Sequence, residues 1–123
     1  MRFTLDRHPG ANLITHIGPE GLRIGELMVR TSVIVSAAEL VADWPVRTIE
    51  ALDLATLAPA LGMRPEILIL GTGERIQFPA SALYAELAGR GIGLEVMDTA
   101  AACRTYNVLV NEDRPVVAAL MLA

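Results

Sequence analysis

The residues with the greatest potential for chemistry lie in a short segment near the C-terminus. Asp98 and Thr99 follow an apolar run, and Cys103, Arg104 and Asn107 come next at helical spacing. A thiol in the first turns of a helix and beside an arginine is in an environment that lowers a cysteine pKa. The alternative is a small packed residue, a common role of a free cysteine. Because the chain has one cysteine and no histidine in register with it, we expect the packed role and no catalytic residue.

A second candidate site follows the apolar residues 67–70. Gly71, Thr72 and Gly73 come directly after this run and invite comparison with a nucleotide-binding loop. The dinucleotide fingerprint requires a third glycine and a helix that begins inside the motif, whereas here residues 74–79 intervene. We therefore expect a tight turn that uses glycine for a positive φ or a close backbone approach. Because Arg75 follows this turn closely, a bound anion remains an alternative for this segment.

Other residue types argue against several classes of chemistry. His8 and His16 are the only imidazoles, and no cysteine, histidine or carboxylate pairs with them at a spacing typical of metal ligands. All 10 basic residues are arginine. The absence of lysine excludes a Schiff-base enzyme and a Walker A loop. We expect neither a metal nor another cofactor.

Composition predicts one domain that spans residues 1–123, with residues 1–11 as a flexible N-terminal arm. Hydrophobic residues make up 53% of the chain and aromatic residues only 4%, so the core must be aliphatic. The net charge of −4 argues against nucleic acid, which binds through phosphate neutralisation. No apolar run is long enough to span a membrane, and the first ten residues lack the apolar region of a signal peptide. The single cysteine fits a reducing compartment, so we expect a cytoplasmic protein.

Hydrophobic periodicity divides the chain into two parts. Residues 13–35 predict an antiparallel β meander, whose third strand runs from Leu27 to Val35. Beyond it, the pattern predicts alternating helices and strands, joined by parallel crossovers. The helices are expected around 54–62, from Pro79 to about 90 and over 99–111; the strands are expected over 67–70, 94–97 and 116–122. Since ligands bind outside the carboxyl ends of parallel strands, we expect both candidate segments at one rim.

Several segments together resemble a known family. They are Pro65-Glu66-Ile67-Leu68-Ile69-Leu70-Gly71-Thr72-Gly73, Pro79, Gly91-Ile92-Gly93-Leu94-Glu95-Val96-Met97-Asp98-Thr99, Ala102-Cys103-Arg104-Thr105-Tyr106-Asn107-Val108-Leu109 and Val116-Val117-Ala118-Ala119-Leu120. Over about residues 12–122 the chain is similar to the MTH-domain family of small proteins, which includes the mitochondrial complex I assembly factor 3. The resemblance implies an α/β fold of three layers: a mostly parallel central sheet, helices and a smaller antiparallel β layer. It implies no established enzymatic activity and a role through protein association.

The leading hypothesis is thus a non-enzymatic protein-binding or assembly module, linked by family analogy to respiratory complexes. The alternative is a small-molecule-binding protein or a cryptic enzyme that uses the region of Gly71–Gly73 and Cys103–Asn107. Self-association is a third explanation for the apolar composition. Under each of the first two hypotheses, the candidate binding residues are Gly71, Thr72, Gly73, Arg75, Asp98, Thr99, Cys103, Arg104 and Asn107.

Overall fold

The computed structural model describes residues 10–122, which form eight strands, three α-helices and one short 3₁₀-helix. Most of the predicted N-terminal arm, residues 1–9, lies outside the described residues. The elements in chain order are β1 (Ile14–Gly18), β2 (Gly21–Ile24), β3 (Leu27–Val29), β4 (Val33–Ser36), β5 (Leu40–Val41), the 3₁₀-helix (Ile49–Ala51), α1 (Ala58–Gly62), β6 (Ile67–Gly71), α2 (Ser81–Gly89), β7 (Gly93–Met97), α3 (Thr99–Asn111) and β8 (Val116–Leu120).

A five-stranded sheet of order β5-β4-β8-β6-β7 forms the centre of the fold. Its strands β8, β6 and β7 are parallel neighbours, as the apolar runs predicted, and β6 and β8 lie in the interior of the sheet. The expectation of a mostly parallel sheet is confirmed only for these three strands, because β4 pairs antiparallel with both β8 and β5. The sheet is mixed.

The smaller sheet contains β1, β2 and β3 in antiparallel order. The predicted strand from Leu27 to Val35 is in fact two strands, since β3 ends at Val29 and β4 joins the central sheet. The buried residues Val33, Ile34 and Val35 explain the difference, because all three are 0% exposed. A strand covered on both faces belongs in the interior of a fold rather than in a half-exposed meander.

Two hydrophobic clusters lie on opposite faces of the central sheet. One face packs against α3 and the small sheet, with Tyr106 and Leu22 among its fully buried side chains. The other face packs against α1, α2 and the segment around Trp44. The fold is therefore a mixed α/β architecture in which the central sheet is covered on both sides.

The helix predicted around 54–62 is shorter than expected. Residues Asp53 and Thr56 bond to each other through side-chain and backbone groups, and α1 begins only at Ala58. Such local side-chain bonds compete with helical hydrogen bonds. In contrast, α3 has the predicted bounds, and α2 begins two residues after Pro79.

Candidate functional site

A surface cavity of about 410 Å³ lies at the carboxyl ends of β6, β7 and β8. The turn between β1 and β2 forms one wall, and the first residues of α3 form another. The lining residues are Ile17, Gly18, Pro19, Glu20, Gly21, Arg30, Gly73, Glu74, Asp98, Thr99, Ala100, Met121 and Leu122. Three of the nine residues expected to form a binding site therefore share this cavity: Gly73, Asp98 and Thr99.

Thr99 joins the ends of the parallel strands behind the cavity. Its hydroxyl donates to the carbonyl of Met121 at 2.9 Å and accepts from the backbone N–H of Gly73 at 2.8 Å. The backbone N–H of Thr99 donates to the carbonyl of Gly73 at 2.9 Å. Since Thr99 is 3% exposed, these bonds satisfy its buried polar groups and hold the cavity floor in place.

Gly71 and Gly73, in the second candidate segment, are each required for a different structural reason. A Cβ on Gly71 would lie 3.0 Å from both the Cα and the hydroxyl of Thr99, so this glycine permits close approach. Gly73 has a φ of +96°, and a Cβ added to it would meet no atom within 4 Å, so this glycine supplies the positive φ. Between them, the Thr72 hydroxyl donates to the Arg75 carbonyl at 2.7 Å and accepts from the Gln77 N–H at 3.0 Å. These contacts define a tight turn, as expected.

Asp98 is the N-cap of α3 and also lines the cavity. Its carboxylate accepts a hydrogen bond from the backbone N–H of Ala101 at 2.8 Å. The carboxylate thus satisfies one free amide of the first turn and lies at the positive end of the helix dipole. Thr99 does not act as the N-cap, because its hydroxyl bonds to the neighbouring strand ends instead.

The hairpin wall carries an exposed pair of hydrogen-bonded side chains, His16 and Glu20. His16 Nε2 lies 3.1 Å from Glu20 Oε1. This hydrogen bond is the largest of the effects that hold the pKa of Glu20 below its usual value, and the charge of Arg30 adds to it. Glu20 is therefore ionised at neutral pH. The exposed side chain of Glu74 lies on the loop after β6.

Cys103 lies in the hydrophobic core rather than in the cavity. It is 3% exposed and packs in the cluster between α3 and the small sheet. Burial raises the pKa of the thiol to about 12, and the opposing effect of Arg104 is smaller. A thiol with such a pKa is a poor nucleophile at neutral pH.

The remaining candidates occupy three different places. Asn107 holds β1, because its amide group donates to the Ile14 carbonyl at 2.7 Å and accepts from the Ile14 N–H at 2.9 Å. Arg104 is exposed and has no hydrogen-bond or ion-pair partner within residues 10–122. Arg75 is exposed on the loop that follows Gly73.

The walls of the cavity that come from distant parts of the chain could not be predicted from the sequence. The turn residues Gly18-Pro19-Glu20-Gly21 were recognisable as a turn, but nothing local placed them opposite α3. Arg30, Met121 and Leu122 were not candidates either. Within the part of the chain that the structure describes, no group of histidine, cysteine and carboxylate side chains has an arrangement that could hold a metal ion. No described helix is both long and apolar enough to cross a membrane.

Comparisons with known proteins agree with this architecture. The NADH dehydrogenase (ubiquinone) 1 alpha subcomplex assembly factor 3 of Xenopus tropicalis is 34% identical over 99 residues, which cover 79% of this chain and 53% of that protein. The chain thus spans about half the length of this curated relative. An uncharacterised protein of Rhodobacter capsulatus is 37% identical over 112 residues, which cover 91% of this chain and 86% of that protein.

A solved structure and a family pattern extend the comparison to the whole fold. The solution NMR structure of a Mth938-like domain from Bordetella pertussis superposes with a TM-score of 0.82 at 27% identity, covering 98% of this chain and 92% of that chain. Residues 14–121 match the family described as "Protein of unknown function (DUF498/DUF598)". The chain belongs to this DUF498 family, which is related to the complex I assembly factors and to Mth938-like domains, as its sequence segments indicated.

Proposed function

We propose that this chain is a non-enzymatic protein-binding module that takes part in the assembly of a multisubunit complex. The name of the Xenopus relative supports an assembly role. The observation that carries the proposal is the cavity at the carboxyl ends of β6, β7 and β8, which combines apolar walls with charged side chains. Ligands of open α/β sheets bind at this edge.

The proposed binding surface is centred on Gly73, Asp98 and Thr99. Ala100 also lines the cavity, and Arg104 is four residues further along α3. Residues four apart lie on the same face of a helix, so Arg104 extends the surface by one turn. Its guanidinium can donate to a carboxylate or to the backbone carbonyls of a partner.

The other candidate residues support this surface from outside the cavity. Gly71 and Thr72 shape the turn that carries Gly73, and Asn107 fixes β1, whose last residues form the hairpin wall. Cys103 packs beneath α3. Arg75 follows Glu74 along the exposed loop and is a candidate for peripheral contact with the partner.

The cavity volume also favours a second candidate function, the binding of a small molecule. About 410 Å³ lies within the range of roughly 300–1,000 Å³ that is typical of ligand pockets. A metabolite class that raises the melting temperature of the chain, and loses this effect when the cavity is filled, would favour this function over protein binding.

Filling the cavity tests the protein-binding proposal. Ala100→Phe places an aromatic ring at the cavity wall, while Ala85→Phe makes the same change at an exposed position of α2 outside the lining. Affinity capture with quantitative mass spectrometry, in cells that express the chain natively, should recover a specific partner with the wild type and with Ala85→Phe. We expect Ala100→Phe to lose this partner with an unchanged melting temperature.

One result would contradict the proposal. Undiminished capture by a folded Ala100→Phe variant would exclude the cavity as the binding surface. We also propose a cytoplasmic location, which fractionation of cells that express the native chain tests; recovery of the soluble chain outside the cytoplasm would contradict it.

A further inference from the structure

The charges of the cavity lining are unequal. Glu20, Glu74 and Asp98 supply three carboxylates, whereas Arg30 supplies the single guanidinium. The Asp98 carboxylate accepts a hydrogen bond from the first turn of α3. The Glu20 carboxylate interacts with His16 and with the charge of Arg30. Glu74 is exposed and has no hydrogen-bond or ion-pair partner within residues 10–122. The lining therefore carries more negative than positive formal charge.

Apolar side chains lie beside these carboxylates. Ile17, Met121 and Leu122 line the cavity together with Pro19, and Ile17 is 39% exposed. The loop that carries Glu74 continues to Ile76 and Phe78, which are 49% and 66% exposed. Exposed apolar surface with a polar rim is typical of protein interaction sites.

This combination restricts the chemistry of an occupant. Carboxylates repel phosphate groups, so a nucleotide does not suit the lining. The described carboxylates, histidines and cysteine do not converge into a metal site. A peptide that presents apolar side chains and positive charge is complementary to both features of the lining.

We propose that the cavity binds a basic, apolar segment of the partner protein. An apolar side chain of this segment packs against Ile17 and Leu122, and a neighbouring arginine or lysine lies over Glu20 and Glu74. Arg104 lies outside the lining on α3, so the basic residue faces the hairpin and the 73–78 loop. This inference rests on the proposed protein-binding function and names the chemistry of the partner.

Fluorescence anisotropy with labelled synthetic peptides of equal length tests the inference on the full chain. The four peptides alternate arginine with leucine, serine with leucine, arginine with serine, and glutamate with leucine. We expect the arginine–leucine peptide to bind most tightly, because the lining offers both negative charge and apolar surface. Its affinity should fall as sodium chloride is raised, since exposed charges are screened by salt.

Two double variants distinguish binding at the cavity from attraction by the overall charge of the protein. Glu20→Gln combined with Glu74→Gln should weaken the arginine–leucine peptide roughly tenfold, as expected for two exposed charge contacts. Glu66→Gln combined with Glu86→Gln removes the same charge from exposed residues outside the lining. This control should leave the affinity unchanged.

Three outcomes would overturn the inference. Equal affinities for the four peptides would show that the cavity has no preference for basic, apolar segments. Equal losses of affinity for the arginine–leucine peptide in the two double variants would show that the protein attracts it only through its overall charge. A dimer in analytical ultracentrifugation that dissociates on Ala100→Phe would show that a second copy occupies the cavity.

The failure of this inference is distinct from the failure of the proposed function. Loss of native partner capture by Ala100→Phe, without preference for the basic peptide, overturns the partner chemistry and keeps the binding function. Preference for the basic peptide together with undiminished native capture supports the chemistry of the cavity but shows that the native partner binds elsewhere on the chain.

Discussion

At the scale of single residues, Thr99 and Cys103 show how position within one helix separates two roles. Both are buried, at 3% exposure each. Thr99 lies at the first turn, where its hydroxyl bonds to the ends of two strands. Cys103 lies one turn later and faces the hydrophobic cluster. The nearby helix N-terminus and Arg104 would favour a thiolate, but the cost of burying a charge is larger and keeps the thiol protonated.

Cys103→Ala should fold normally and lose about 1 kcal/mol of unfolding free energy, because the removed volume is small.

Burial raises the pKa of the Cys103 thiol from 9.0 to about 12. The stabilising effect of the protonated thiol is therefore complete below pH 9 and is lost as the pH rises towards 12. Urea denaturation over this range should show a shallower decline for Cys103→Ala than for the wild type. Tyr106, whose pKa burial also raises, contributes equally to both curves. Rapid thiol labelling of the native protein at pH 6 would contradict the packed role.

At the scale of secondary-structure elements, α3 contacts both sheets and links one to the other. Its buried face packs on the central sheet, and its polar side chains reach the small sheet. Asn107 bonds to both backbone groups of Ile14, and the Tyr106 hydroxyl donates to the Asn12 carbonyl at 2.6 Å. Asn107 thus replaces a neighbouring strand for this part of β1. The hairpin that forms one wall of the cavity is therefore held both by its own strand pairing and by α3.

Asn107→Leu should lower the free energy of unfolding by about 2–3 kcal/mol, because the N–H and the carbonyl of Ile14 lose their partner. Arg104→Met on the same helix is the matched comparison and should stay within about 0.5 kcal/mol, since its side chain is exposed and unpaired in the described residues. Chemical denaturation of both variants measures the difference. Equal stabilities would show that the Asn107 bonds contribute little and would reopen Asn107 as a binding residue.

At the scale of the whole molecule, the two hydrophobic clusters share one sheet. The side chains of β6 and β8 alternate between them, with Ile69 and Ala118 on one face and Leu68 and Val117 on the other. Neither cluster can lose its packing without exposing a strand that also supports the other. We therefore expect the described fold to unfold as one cooperative unit.

Two native probes test this cooperativity, one on each side of the sheet. Trp44 is the only tryptophan and belongs to the α1/α2 side, whereas Cys103 belongs to the α3 side. Tryptophan emission and thiol accessibility should show the same midpoint in urea. An earlier exposure of Cys103 would show that α3 and the small sheet unfold separately, and would contradict a single domain.

Much of the fold could be predicted because its signals are local. The continuous apolar runs at 67–70 and 116–122 indicated buried parallel strands, although the second strand ends at Leu120, and the spacing of apolar residues gave the bounds of α3. The glycines at 71 and 73 indicated a tight turn, which the close contact of Gly71 and the positive φ of Gly73 explain. The family could also be identified from short segments, because together they span most of the chain.

The path of β4 and the walls of the cavity were decided only by the tertiary structure. Alternation along 27–35 is compatible with one strand, and only burial on both faces assigns Val33–Ser36 to the central sheet. The cavity combines Ile17–Gly21, Asp98–Ala100 and Met121–Leu122, which are far apart in the chain. Local residue patterns determine strands, helices and turns, whereas the packing of sheets and helices determines which distant side chains share a surface.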